Sequence, residues 1–279
     1  MTQSEQENAA AVQAHASSDS SSARPSDEML PFLNNFHDIF TTIGVLILLG
    51  GMQVATQQIM GSLSLDVSSL RWQMAQIGLV ACQAVLMWLL ASILVGRQRR
   101  ILPGIVLCIA FCGAITAILA WAYIQFLIQG VGVGENYFES RFANAPDDME
   151  FGRDAVSYVL AQVGWEVRIA PVIFALASLV PVAMFYFSFR LPFAGGLIGV
   201  GLIGLVVSLF SVIDPYTVIS YFPSVVVLAG MALLLAGIVF DARDPDRTTR
   251  LSGTAFWLHL FAAPILMLEI GRASCRERV

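Results

Sequence analysis

The chain has 279 residues, of which 57% are hydrophobic and 13% charged, about half the charged fraction usual in a soluble globular domain. That balance excludes a water-soluble fold, because a series of long apolar stretches would leave no amphipathic element to cover them. The formal net charge of −5, with every one of the 15 basic residues an arginine and no basic face, excludes a nucleic-acid binder.

Residues 1–30 are rich in Ser, Ala, Gln and acids and show no apolar periodicity. Burial cannot offset the entropy of ordering them, so a disordered tail is predicted. The tail lacks the basic start and short apolar core of a signal peptide, which makes the first span an uncleaved insertion signal. Pro31 to Asp38 (PFLNNFHD) reads as an interfacial turn with an N-cap candidate. Uncharged windows then predict spans at 39–60, 73–96, 101–128, 169–189, 192–213, 217–240 and 253–269. A helix needs about 20 residues to cross about 30 Å of hydrocarbon, and only the last window is marginal. The predicted fold is an all-α, polytopic transmembrane bundle of about seven spans within residues 31–270.

Arg97, Arg99 and Arg100 close the second span and place that end on the cytoplasmic side. Alternation puts the N-terminal tail, Arg190, Arg243, Arg247 and Arg250 on the same side, and the acidic outer loop 130–168 on the other. A multi-pass protein of the bacterial inner membrane with a cytoplasmic N-terminus follows as the expectation. Within the outer loop, Asp147, Asp148 and Glu150 precede Val156, Val159, Leu160 and Val163, which predicts a short amphipathic helix ending near Gly164. Trp165 falls at an aromatic belt beside a Glu166 and Arg168 pair. Of Pro171 and Pro181 in the fourth span, the second lies deep enough to kink the helix, and Pro223 and Pro264 are candidate kinks in the sixth and seventh.

GVGLIG, with Gly199, Gly201 and Gly204, spells a dinucleotide fingerprint but sits mid-span without a preceding strand, so no cofactor is implied. Gly195 and Gly199 form instead a GxxxG pair that lets a second helix approach, from this chain, a second copy or a membrane partner. Cys108 and Cys112 lie one turn apart with no histidine or carboxylate near them, and read as apolar filler rather than metal ligands. His259 is the histidine well inside a span, and an intramembrane ionisable group is a functional candidate. Ser252 precedes it by two turns, about 10 Å, too far for direct proton transfer, so no catalytic constellation is read. Gln53, Gln57, Gln83, Gln125 and Gln129 bring amides into or near spans, for bonding between helices or for a polar path. The charges of DARDPDRTTR read as local salt bridges in an inner loop with an N-cap at Thr248, Thr249 or Ser252, the alternative being a recognition loop for a cytoplasmic partner.

The blocks PFLNNFHDIFTTIG, FRLPFA and FDARDPDRTTRLSGTAFWLHLFAAP resemble an uncharacterised family of bacterial inner-membrane proteins. The resemblance implies a polytopic membrane fold and carries no catalytic residue across. The terminal GRASCRERV resembles a translated sequencing-adapter or vector junction, so residues 271–279 read as non-native and the natural protein as continuing past about Glu269. Two functions are open. A structural, assembly or partner-binding envelope protein predicts a packed bundle centre, whereas a small-solute transporter predicts Gln53, Gln57, Gln125 and His259 converging on a midplane cavity.

Overall fold

The computed structural model describes residues 30–63, 69–98, 100–143, 152–245 and 250–276. The sequence features at 1–29, at Asp147, Asp148 and Glu150, at Arg99, at Asp246 and Arg247, and at 277–279 lie outside the described residues. Among the described residues the chain is all-α, with no strand. Helix α1 spans Leu30–Ser62, α2 Leu70–Ala91, α3 Ile101–Gln125, α4 Glu135–Phe142, α5 Arg153–Gln162 and α6 Trp165–Arg168. They are followed by α7 at Ala170–Phe189, α8 at Pro192–Ile213, α9 at Pro215–Ser220, α10 at Phe222–Arg243 and α11 at Arg250–Arg276.

Six segments are long and apolar enough to cross a bilayer: Phe36–Ser62, Leu70–Arg97, Ile101–Val131, Ala170–Phe189, Pro192–Ile213 and Phe222–Arg243. A seventh apolar segment, Leu251–Met267 in α11, is shorter. Side chains such as Ile47, Phe187 and Met267 stand 70%, 75% and 74% exposed on these helices. Water would penalise each, and hydrocarbon does not. The chain is an integral, multi-pass membrane protein.

Local chemistry explains the boundaries, including those the sequence misplaced. Residues 31–38 are helical rather than a turn, because Pro31 in a first turn has no N–H to lose and its fixed φ suits the helix. Ser69 caps α2, its hydroxyl accepting from the Trp72 N–H at 3.2 Å. Both α2 and α3 run on into a wider π turn, Ser92–Arg97 and Phe126–Val131. The sixth span starts later than the hydropathy window suggests, since α9 intervenes and the chain breaks at Tyr221. Pro223 therefore sits in the first turn of α10 and is no kink, as Pro171 is in the first turn of α7, whereas Pro181 and Pro264 lie inside α7 and α11.

Packing proceeds as a relay. α1 lies on α3 and α2, α3 lies on α2 and α7, α7 on α8, and α11 fits between α8 and α10. Four aromatic rings from three helices fill the first core. Trp88 lies 5.1 Å from Phe111 and 4.9 Å from Phe189, and Phe185 lies 4.7 Å from Phe189. Leu107, Cys108 and Cys112 are buried in the same cluster. Leu233, Leu258 and Ala262 make a second core where α10 and α11 meet.

The two ends of the bundle differ in charge. At one end the α2–α3 and α7–α8 junctions adjoin, and a Cβ on Gly253 would fall 3.0 Å from Pro192 Cβ, so the start of α11 joins them. Arg97, Arg100 and Arg190 belong to this end. At the other end Arg153 of α5 pairs with Asp214 at 3.6 Å, and the Tyr123 hydroxyl donates to the Glu166 carbonyl.

Candidate functional site

Polar side chains inside hydrocarbon need partners, so the hydrogen bonds show where the bundle keeps its chemistry. Gln83 of α2 is buried at 6% exposure, and its Nε2 donates to Thr56 Oγ1 at 2.5 Å and to the Met52 carbonyl at 3.3 Å. Thr56 in turn donates to the same carbonyl at 2.9 Å. This node fastens α2 to α1. Gln125 Nε2 donates to Gln73 Oε1 at 2.6 Å, and Gln129 Nε2 donates to Gln125 Oε1 at 2.9 Å, a ladder that ties the far ends of α2 and α3.

His259 projects from α11 toward α10, where its Nε2 lies 3.0 Å from Asp241 Oδ2. A carboxylate accepts, so the bond requires the ring proton on Nε2. Gly237, one turn before Asp241, makes room for the ring: a Cβ there would stand 2.7 Å from His259 Cε1. Both side chains are part exposed, His259 by 32% and Asp241 by 41%, so the pair sits at the flank of the α10–α11 contact rather than in a core. At Asp241 the DARDPDRTTR segment is thus also tied across helices, to His259 of α11.

Gln53 and Gln57 both lie exposed on α1. No described hydrogen bond joins any two of Gln53, Gln57, Gln125 and His259: Gln125 belongs to the α2–α3 ladder and His259 to the α10–α11 pair. Gly195 and Gly199 both face neighbouring helices within the chain. A Cβ on Gly195 would meet Thr254 Oγ1 at 2.8 Å, and one on Gly199 would meet Leu258 Cδ2 at 2.5 Å, both on α11. Glu166 and Arg168 form no ion pair among the described residues, because positions two apart point to different sides of a helical turn.

Asp214 caps α9, with Oδ1 accepting from the Thr217 N–H at 3.2 Å and Oδ2 from its hydroxyl at 2.7 Å. Those bonds, with the Arg153 guanidinium adding to them, hold its carboxyl below the ordinary carboxylate range against a small opposing effect of burial. Cys108 and Cys112 stand Sγ to Sγ at 4.0 Å inside the aromatic core. Among the described residues no three His, Cys, Asp or Glu side chains gather as a metal site would require.

Asp241 as the partner of His259, and Gln73 as the partner of Gln125, escaped the sequence. The pairs bridge helices across 18 and 52 positions, and the only signal available was a lone polar residue on an otherwise apolar helix. No protein-family model, no curated protein and no solved structure matches the chain.

Proposed function

We propose that the chain is a non-enzymatic protein of the bacterial inner membrane, N-terminus cytoplasmic, whose bundle serves assembly or partner binding rather than passage of a solute. The observation that carries this reading is the aromatic core: Trp88, Phe111, Phe185 and Phe189 occupy the space where α2, α3 and α7 meet, and a solute path needs polar, hydrated walls there. The arginines at one end of the bundle support the orientation, and the resemblance of PFLNNFHDIFTTIG and FRLPFA to bacterial inner-membrane proteins supports the compartment.

Two native cysteines test it. Cys108 and Cys112 are 0% and 7% exposed within that core. In a Cys82→Ser, Cys275→Ser background, native membranes are treated with a small charged methanethiosulfonate. The expected result is no modification of either thiol until detergent unfolds the chain. Modification in the intact membrane overturns the reading in favour of a small-solute transporter with water in its bundle.

A further inference from the structure

The π turn that ends α2, the start of α3, the end of α7 and the start of α8 enclose a cavity of about 420 Å³ at the arginine-bearing end of the bundle. Its floor is apolar. Val95 and Leu191 are 8% and 4% exposed and pack over Gly104, where a Cβ would stand 2.8 Å from Val95 Cγ2. Its polar lining is Arg100, Arg190 and Ser188.

Both arginines are placed by the fold. Arg100 is steadied by α1, through the Thr41 hydroxyl, the His37 imidazole at 2.8 Å and the Asp38 carboxylate at 3.8 Å. Arg190 adopts φ 51°, and it is the one non-glycine residue with positive φ among the described residues. The left-handed region costs an ordinary side chain about 1 kcal/mol or more, so the α7–α8 junction gives up stability to hold Arg190 at this mouth.

Arg100, with the Asp38 carboxylate beside it, and Arg190 both line the cavity, and the backbone adds positive charge. α3 and α8 both begin at the cavity, neither has an acid in its first turn, and neither cap residue, Arg100 or Leu191, accepts a side-chain hydrogen bond from the turn. No described side chain of either first turn offsets the partial positive charge of these helix starts. A cationic rim over an apolar floor, at the level where a bilayer carries its headgroups, suits a group with a negative head.

We propose that this cavity binds a phosphate group, of the kind presented by an anionic phospholipid headgroup or by free inorganic phosphate. The test uses the full chain, stripped of lipid in a neutral detergent, and measures binding of phosphatidylglycerol and of inorganic phosphate by the rise in unfolding temperature. Arg190→Gln should weaken phosphatidylglycerol binding about tenfold, the effect of losing one charge-assisted contact. Gly96 lines the same cavity with nothing within 4 Å of its Cβ position, so Gly96→Glu introduces a repelling carboxylate without disturbing packing and should weaken binding as well. Arg97→Gln, a charge change outside the cavity, should leave binding as it was. Competition by inorganic phosphate with the same Arg190 dependence assigns the site to free phosphate, and its failure to compete assigns it to the lipid headgroup. Binding that survives both Arg190→Gln and Gly96→Glu, or that falls equally in Arg97→Gln, overturns the proposal.

Discussion

Replacing Gly196 by alanine adds one methyl group where α8 and α11 have no room for it. The new Cβ would lie 2.7 Å from Trp257 Cβ and 3.0 Å from Phe261 Cε2. Non-bonded carbons rest at about 3.5–4.0 Å, so the two helices must separate by about 1 Å. Trp257 Cβ is fixed to its own backbone and cannot swing aside as the end of a leucine can. Over-packing of this kind costs about 1–3 kcal/mol, and the better helix propensity of alanine offsets up to about 1 kcal/mol of it. The expected net loss is roughly 1–2 kcal/mol. Gly204, on the same helix, has nothing within 4 Å of where its Cβ would stand, so Gly204→Ala keeps the propensity gain without the clash. Purified protein in mixed micelles, unfolded by rising SDS and followed by circular dichroism, should show a lower midpoint for Gly196→Ala and an unchanged or higher one for Gly204→Ala. A Gly196→Ala midpoint at or above that of the parent refutes the claim that α8 and α11 touch at this glycine.

Gln83→Leu removes the bonds to Thr56 and Met52 and should cost about 0.6 kcal/mol, with about 1.7 kcal/mol as the upper bound for an intramembrane bond, in the same SDS titration; Gln57→Leu, at an exposed amide, should cost nothing. Asp214 has a folded-state pKa below its ordinary 3.8 because Thr217 and Arg153 favour the carboxylate. Its stabilising contribution is therefore complete above about pH 4 and is lost as pH falls through the lowered folded value. Unfolding temperatures measured from about pH 6 to about pH 3 should fall less steeply in Asp214→Asn than in the parent, and parallel curves would show that Asp214 contributes nothing to acid sensitivity.

Much of this architecture is written in the sequence, and what is missing has a physical cause. Uncharged windows locate spans because the bilayer penalises charge along the whole of a helix, a signal that needs no knowledge of neighbours. Neighbours themselves are hidden. A helix that is apolar all round, such as α8, does not announce whether it faces lipid or another helix, since lipid tails are as apolar as leucine. Gly195 and Gly199 mark a close approach without saying to what, and only the structure supplies Thr254 and Leu258. The same limit hides Asp241 behind His259. Breaks at low-charge positions are equally silent: Tyr221 interrupts a continuous apolar stretch that hydropathy reads as one span. Pro31 and Pro223 mislead for a different reason, since proline ends a helix interior yet suits a first turn, and its position relative to the start decides which.

The relay of packed helices carries a consequence for how the protein is made. Each span from α2 to α8 enters the bilayer with an earlier span already waiting beside it. For α10 that earlier contact, with α8, is only a minor one, because its chief neighbour is α11, which is synthesised after it. Until then α10 is held mainly by its lighter contact with α8, and α11 must insert between two helices already in place. The late step is also made by the segment with the shortest apolar stretch, Leu251–Met267, whose membrane residence leans most on its neighbours. The helix that fits between α8 and α10 is thus the least self-sufficient of those described, and the glycines of α8 keep the slot open for it.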